Sequence, residues 1–226
     1  MNVLQELENF INEFNLNNNE DFKIDTIRID FSKQHKKESL ELLGNWKKIN
    51  KNDKKILDKL KRRLTIDEVT SAYQLENYNI YYYNSNKDKP RYRLATMVIF
   101  GLSQYHKEPP PHQIVSKIIS ILKNITNIDL CLDMKQKPSL ELLENHFNLK
   151  RYFDKKIKTL TDTYYINETD ISMIEKICIY NKAIKNNLGC ILWRIEATIL
   201  IPNIKYLALP LHEFKLITDL AKGIND

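Results

Sequence analysis

Residues 127–134, Asn-Ile-Asp-Leu-Cys-Leu-Asp-Met, alternate apolar and polar without a break. Side chains of an extended chain repeat every two residues. Ile128, Leu130, Leu132 and Met134 therefore share one face, while Asp129, Cys131 and Asp133 share the other. This period excludes a helix and demands a sheet with one covered side. Its acidic face has two readings: the floor of a divalent-metal site, or an edge strand that shows two aspartates to water.

The same period recurs. In Ile24–Phe31, Ile27, Ile29 and Phe31 face one way and Arg28 and Asp30 the other. Asn79–Tyr83 and Tyr92–Gly101 read as a hairpin across the turn-prone segment 84–90. Further strands are expected at Thr163–Asn167, Lys176–Lys182 and Trp193–Ile199. Helical spacing marks 3–15, through Leu4, Leu7, Phe10, Ile11 and Phe14, and Gln113–Ile125. Ser139 is placed to cap a helix running to about Phe147. Lys47–Arg63 is helix-compatible, and Thr65 with Glu68 forms a capping box for a helix through Tyr78. The expectation is an α+β protein whose mainly antiparallel sheet has helices packed on one face. Its parts are an N-terminal helix (1–20), a catalytic domain (21–201) with a basic helical insertion (45–78), and a C-terminal helix (202–226).

Lys plus Arg number 35 against 29 Asp plus Glu, a net charge of +6 over 226 residues. This excess favours a polyanionic partner such as nucleic acid, although low-GC coding also enriches Lys and Asn. Much of it lies in Lys47–Arg63, where Lys54, Lys55, Lys59, Arg62 and Arg63 form either a solvated helix face or an arm that follows phosphates. Three cysteines without a Cys-x-x-Cys pair imply neither a disulfide framework nor a thiolate zinc site. The start of the chain is too acidic and polar for a signal peptide, and the apolar stretch Cys190–Leu211 is broken by Arg194, Glu196, Pro202 and Lys205. A cytoplasmic protein is expected. His106 and His112 flank a rigid triple-proline loop and do not make a His-x-His pair.

Alternation also sorts the last third of the chain. Tyr164 falls with Ile166 on an apolar face, which leaves Tyr165 with Thr163 and Asn167. Tyr180 points outward with Lys176 and Lys182, and Arg194 shares a face with Glu196 and Thr198. If these faces meet, hard oxygen ligands (Asp129, Asp133, Glu196), a phenol and cations (Lys176, Lys182, Arg194) surround one site. A phosphodiester suits that set: Mg²⁺ or Mn²⁺ polarises a non-bridging oxygen, tyrosinate attacks phosphorus, and cations stabilise the developing charge.

The ordered segments Asn-Ile-Asp-Leu-Cys-Leu-Asp (127–133), Thr-Tyr-Tyr-Ile-Asn (163–167), Ile-Tyr-Asn-Lys (179–182) and Arg-Ile-Glu-Ala-Thr (194–198) resemble the motifs of the Rep_trans family of rolling-circle replication initiators, of plasmid or inovirus type. Residues 97–105 and 24–29 look like two of its upstream strands, so the likeness spans about residues 22–201. The resemblance implies a catalytic domain akin to HUH-type nickases, with carboxylates in place of the histidine pair. It implies that Tyr165 is the nucleophile, that Asp129, Asp133 and Glu196 hold the metal, and that Lys182 and Arg194 lie by the phosphate. It further implies nicking of origin DNA, single-stranded or cruciform, through a 5′-phosphotyrosyl link that leaves a 3′-hydroxyl. A host helicase, a polymerase and a second copy of the chain are the expected partners. Asn127 and Asn167 stand where the family has Arg and Gly, and no basic residues follow Tyr165, which leaves Tyr164 open as the nucleophile. The alternative is a non-cleaving DNA-binding protein, using its basic helix and exposed tyrosines such as Tyr180.

Overall fold

A computed structural model describes residues 3–32, 36–61, 69–85, 94–104, 108–155 and 157–225. Two compact units emerge. The first comprises residues 1–8 and 25–127, the second residues 9–24 and 128–226. Helix α1 (Val3–Asn18) and strand β1 (Lys23–Ser32) each begin in one unit and end in the other.

In the first unit α2 (Lys37–Glu41), β2 (Trp46–Lys48), α3 (Lys54–Lys61), β3 (Val69–Leu75), β4 (Ile80–Ser85), β5 (Leu94–Phe100) and α4 (His112–Leu122) follow β1. The strands lie in the order β2-β3-β4-β5-β1, and neighbours pair antiparallel. The expected hairpin forms, with Ile80 opposite Ile99 and Tyr82 opposite Met97. Ile27, Ile29, Ile80, Met97 and Ile99 are fully buried on one face. Ala72, Tyr81, Tyr83, Val98 and Phe100 are buried on the other, where Leu60, Ile56 and Leu57 of α3 pack on them. Both sides of these strands are covered, which is why β5 reads as a continuous apolar run.

Two expectations fail here. Lys47 and Lys48 belong to a strand, and the helix begins at Lys54, where the Asp53 carboxylate accepts from the Ile56 amide at 3.3 Å. Residues 69–75 form β3 where a helix was expected. The β-favouring Val69 and Thr70 lead it, and its ladder with β4 satisfies the backbone. The capping pair Thr65 and Glu68 lies outside the described residues.

The second unit holds β6 (Asn127–Met134), α5 (Leu140–His146), β7 (Leu149–Asp154), β8 (Thr159–Ile166), β9 (Ile174–Asn181), α6 (Lys182–Asn186), β10 (Trp193–Leu200) and α7 (Ala208–Lys222). Its strands run β6-β10-β9-β8-β7. The pairs β10–β9, β9–β8 and β8–β7 are antiparallel. Leu130, Ile195, Ala197, Ile177, Ile179 and Ile166 bury one face completely. Helix α7 packs against β10 and α5, with Leu211, Phe214 and Ile217 buried. Period-two alternation thus yields the expected α+β architecture with antiparallel pairing. Lys182 is not a strand residue: β9 ends at Asn181, whose carboxamide oxygen caps α6 by accepting from the Ile184 amide at 3.0 Å. Among the described residues no helix is long and apolar enough to cross a membrane.

Candidate functional site

The polar face of the second unit is a grid set by register. One rung carries Lys150, Tyr165, Cys178 and Glu196 on β7, β8, β9 and β10. The next carries Thr163, Tyr180 and Arg194, and the rung on the other side carries Lys176 and Thr198. Strand β6 lies beside β10. There the Thr198 hydroxyl donates to Asp129 at 2.8 Å, and the Arg194 guanidinium donates to both oxygens of Asp133 at 2.6 and 2.7 Å. The polar faces of β6, β10, β9 and β8 are therefore adjacent.

Around Asp133 the charges are out of water. Arg194 is 2 % exposed, Lys182 3 % and Asp133 12 %. The Lys182 ammonium donates to Asp133 at 3.3 Å. Burial, and then the Arg194 charge, hold Lys182 below the usual lysine range despite the opposing pull of Asp133. Arg194 also lies 3.6 Å from Glu196, and the Tyr180 hydroxyl donates to Glu196 at 2.6 Å. Tyr180, expected to be exposed, is buried: Glu196 takes its hydroxyl and the Lys185 ammonium sits 4.1 Å from its ring centre. Parity put its ring on the right face, but neighbours of opposite charge close over it.

Tyr165 stands apart from this cluster. It is partly exposed and its hydroxyl bonds the Cys178 thiol. Burial, then the charge of Glu196, push that thiol up to about 12. Two strand spacings separate Tyr165 from Glu196, roughly 10 Å between backbones, and three separate it from Asp133. Tyr164 is buried on the apolar face opposite Ile179, with the Arg151 guanidinium 5.6 Å from its ring centre.

The other expected DNA-binding residues lie in the first unit. Lys54 and Lys55 are exposed on α3, and the Lys59 ammonium sits 3.9 Å from the Phe100 ring centre. Arg62 and Arg63 lie outside the described residues, as does His106, while His112 pairs with Glu8 at 3.1 Å. Sequence reading missed β7 altogether, because Lys150, Arg151, Tyr152 and Phe153 are all exposed and leave no apolar face to detect. It also missed Thr198 as the partner of Asp129.

The three acids do not fit a single cation. Asp129 and Asp133, four residues apart on one strand, are about 13 Å apart along the backbone, beyond the reach of two aspartates to one ion. Both oxygens of Asp133 are held by Arg194. Among the described residues no three His, Cys, Asp or Glu side chains form a metal-holding group. Asp129 and Glu196, on adjacent strands, are the remaining two, and Mg²⁺ ordinarily takes one or two carboxylates together with waters and phosphate oxygens.

No protein-family model matches the chain, and no curated protein matches it. Among solved structures, a rolling circle replication initiator protein from Geobacillus stearothermophilus matches with a TM-score of 0.45 and 12 % identity, over 88 % of this chain and 78 % of that one.

Proposed function

We propose that the chain is a replication initiator that nicks one strand of DNA at an origin. The observation that carries this reading is the polar face of the second unit. There a partly exposed phenol, Tyr165, shares a ladder rung with Glu196, the cation Arg194 lies on the next rung, and Lys182 follows directly after the end of β9. In the proposed reaction the Tyr165 oxygen attacks phosphorus and the bond from phosphorus to the 3′ oxygen breaks. The phenolic proton passes to water, and the departing 3′ oxygen takes up a proton to become the 3′-hydroxyl that a polymerase extends. Arg194 and Lys182 oppose the charge that builds on the phosphoryl oxygens. Mg²⁺ or Mn²⁺, when bound, would lie at Asp129 and Glu196 and add positive charge there. Recruitment of a host helicase belongs to the same proposal.

One observation favours a second reading, a DNA-binding protein that does not cleave. Arg194, Lys182, Asp133 and Glu196 already satisfy one another, as a purely structural ion cluster does. Relaxation of a supercoiled plasmid carrying the gene and its flanking DNA, with Mg²⁺ or Mn²⁺, separates the two. Nicking with a protein–DNA adduct, lost in Tyr165→Phe and kept in Tyr164→Phe, supports the initiator. Binding without nicking under either metal supports the second reading.

A further inference from the structure

The strand that sequence reading missed borders the candidate nucleophile. β7 ends the strand order of its unit, and its Lys150 lies directly opposite Tyr165. Two residues on, Tyr152 is 45 % exposed, and its ring meets Tyr165 edge-on, centroids 6.1 Å apart at 87°. The ring offers a face to solvent beside Lys150 and the phenol proposed for phosphodiester chemistry. Residues 149–162 contain five basic residues, Lys150, Arg151, Lys155, Lys156 and Lys158, against Asp154 and Asp162. Arg151 is engaged by Asp162 at 3.2 Å and by the Thr161 carbonyl at 2.8 Å, so it braces the hairpin. The register shifts between Arg151 and Phe153. Such bulges re-aim side chains and, with an edge lysine, discourage a second copy from adding a strand.

We propose that Tyr152 and Lys150 form a contact for single-stranded DNA, with Tyr152 stacking a base next to the scissile phosphate and Lys150 pairing with a neighbouring phosphate. This rests on the nicking reading for its location but not for its test. A lone ring beside a lysine suits an unpaired strand, because every base offers a stacking face once it leaves the duplex. Duplex DNA keeps those stacking faces hidden against neighbouring base pairs.

The test is fluorescence anisotropy with a labelled oligothymidylate and the full chain carrying Tyr165→Phe, which removes the attacking oxygen. Adding Tyr152→Ala should weaken binding about five- to hundredfold, the range for loss of one stacked base, and Tyr152→Trp should restore it. Lys150→Ala should lower the slope of log affinity against log salt by about 0.7. An affinity indifferent to Tyr152→Ala overturns the proposal. So does equal affinity for duplex, absence of oligothymidylate binding, or a dimer in sedimentation that Tyr152→Ala dissolves without changing that affinity. Failure to relax plasmid, with the Tyr152 dependence intact, sinks the nicking reading and leaves this contact standing.

Discussion

Tyr81, Tyr82 and Tyr83 on β4 and Tyr165 and Tyr180 on β8 and β9 are the same side chain put to opposite uses. In the first unit, strands covered on both sides bury all three, at 5, 8 and 0 % exposure. Burial, then Tyr73 and Glu41, raise Tyr82 to about 12, and burial, then Asp53, raises Tyr81. These phenols are packing material: Tyr82 stacks on Tyr73 and meets Trp46 edge-on. In the second unit Tyr180, buried at 7 %, and the partly exposed Tyr165 lie on the polar face, where phenols meet a thiol, a carboxylate and a cation instead. Which groups a phenol meets, apolar rings or charged partners, separates the two uses.

The largest effect that would test this contrast is catalytic. Tyr165→Phe should reduce nicking at least about a thousandfold, as loss of an attacking group does. Its stability should change by no more than about 0.5 kcal/mol. Tyr82→Phe should leave nicking intact, and a reversed pattern in the plasmid assay would erase the distinction between the two faces. Next comes Asp133→Asn, which strands two buried cations and should cost about 3–5 kcal/mol in urea unfolding. Arg194→Met with Asp133→Leu leaves one buried cation, Lys182, stranded instead of two and should cost less than the single change.

The contrast also explains what could be read from the chain before folding. β1, β6 and β10 alternate cleanly because each has one face apolar and one polar, so their residues were sorted to the correct sides. β3 was mistaken for helix because its register depends on pairing with β4, a tertiary fact that a local capping signal outweighs on paper. β7 has no buried face at all. In the site, the identity and facing of Asp129, Asp133, Tyr165, Arg194 and Glu196 were legible. The adjacency of β6 and β10, 60 residues apart in sequence, was not, nor was the sealing of Asp133 by Arg194 and Lys182.

Alkaline titration should give Lys182 and Tyr82 opposite signs. Lys182 has a folded-state pKa below its unfolded value, so above that lowered value the unfolded chain holds more protons and stability rises with pH until the ordinary lysine range. Tyr82 is the reverse: its folded value near 12 exceeds the unfolded 10, so the folded chain holds the extra proton. Its contribution, about 2–3 kcal/mol, is present below pH 10 and is lost between pH 10 and 12. Urea unfolding from pH 8 upward should show the rising slope vanish in Lys182→Met and the falling one shrink in Tyr82→Phe. Slopes of one sign in both variants would mean that burial acts alike in the two units.

The finest probe is thiol chemistry, since all three cysteines lie in the second unit and Cys178 sits between Tyr165 and Glu196. At pH 8 a thiol reagent should label exposed Cys190 quickly, while Cys131, 1 % exposed, waits for unfolding. With its value near 12, Cys178 carries roughly one thiolate in ten thousand at that pH, which makes it slow despite partial exposure. Glu196 is the second cause of that elevation after burial. In a Cys190→Ser background, Glu196→Gln should therefore speed Cys178 labelling several-fold and leave Cys131 silent. An unchanged rate would mean that the Glu196 charge does not act on the Cys178 thiol, and the polar face would then lose its electrostatic distinction.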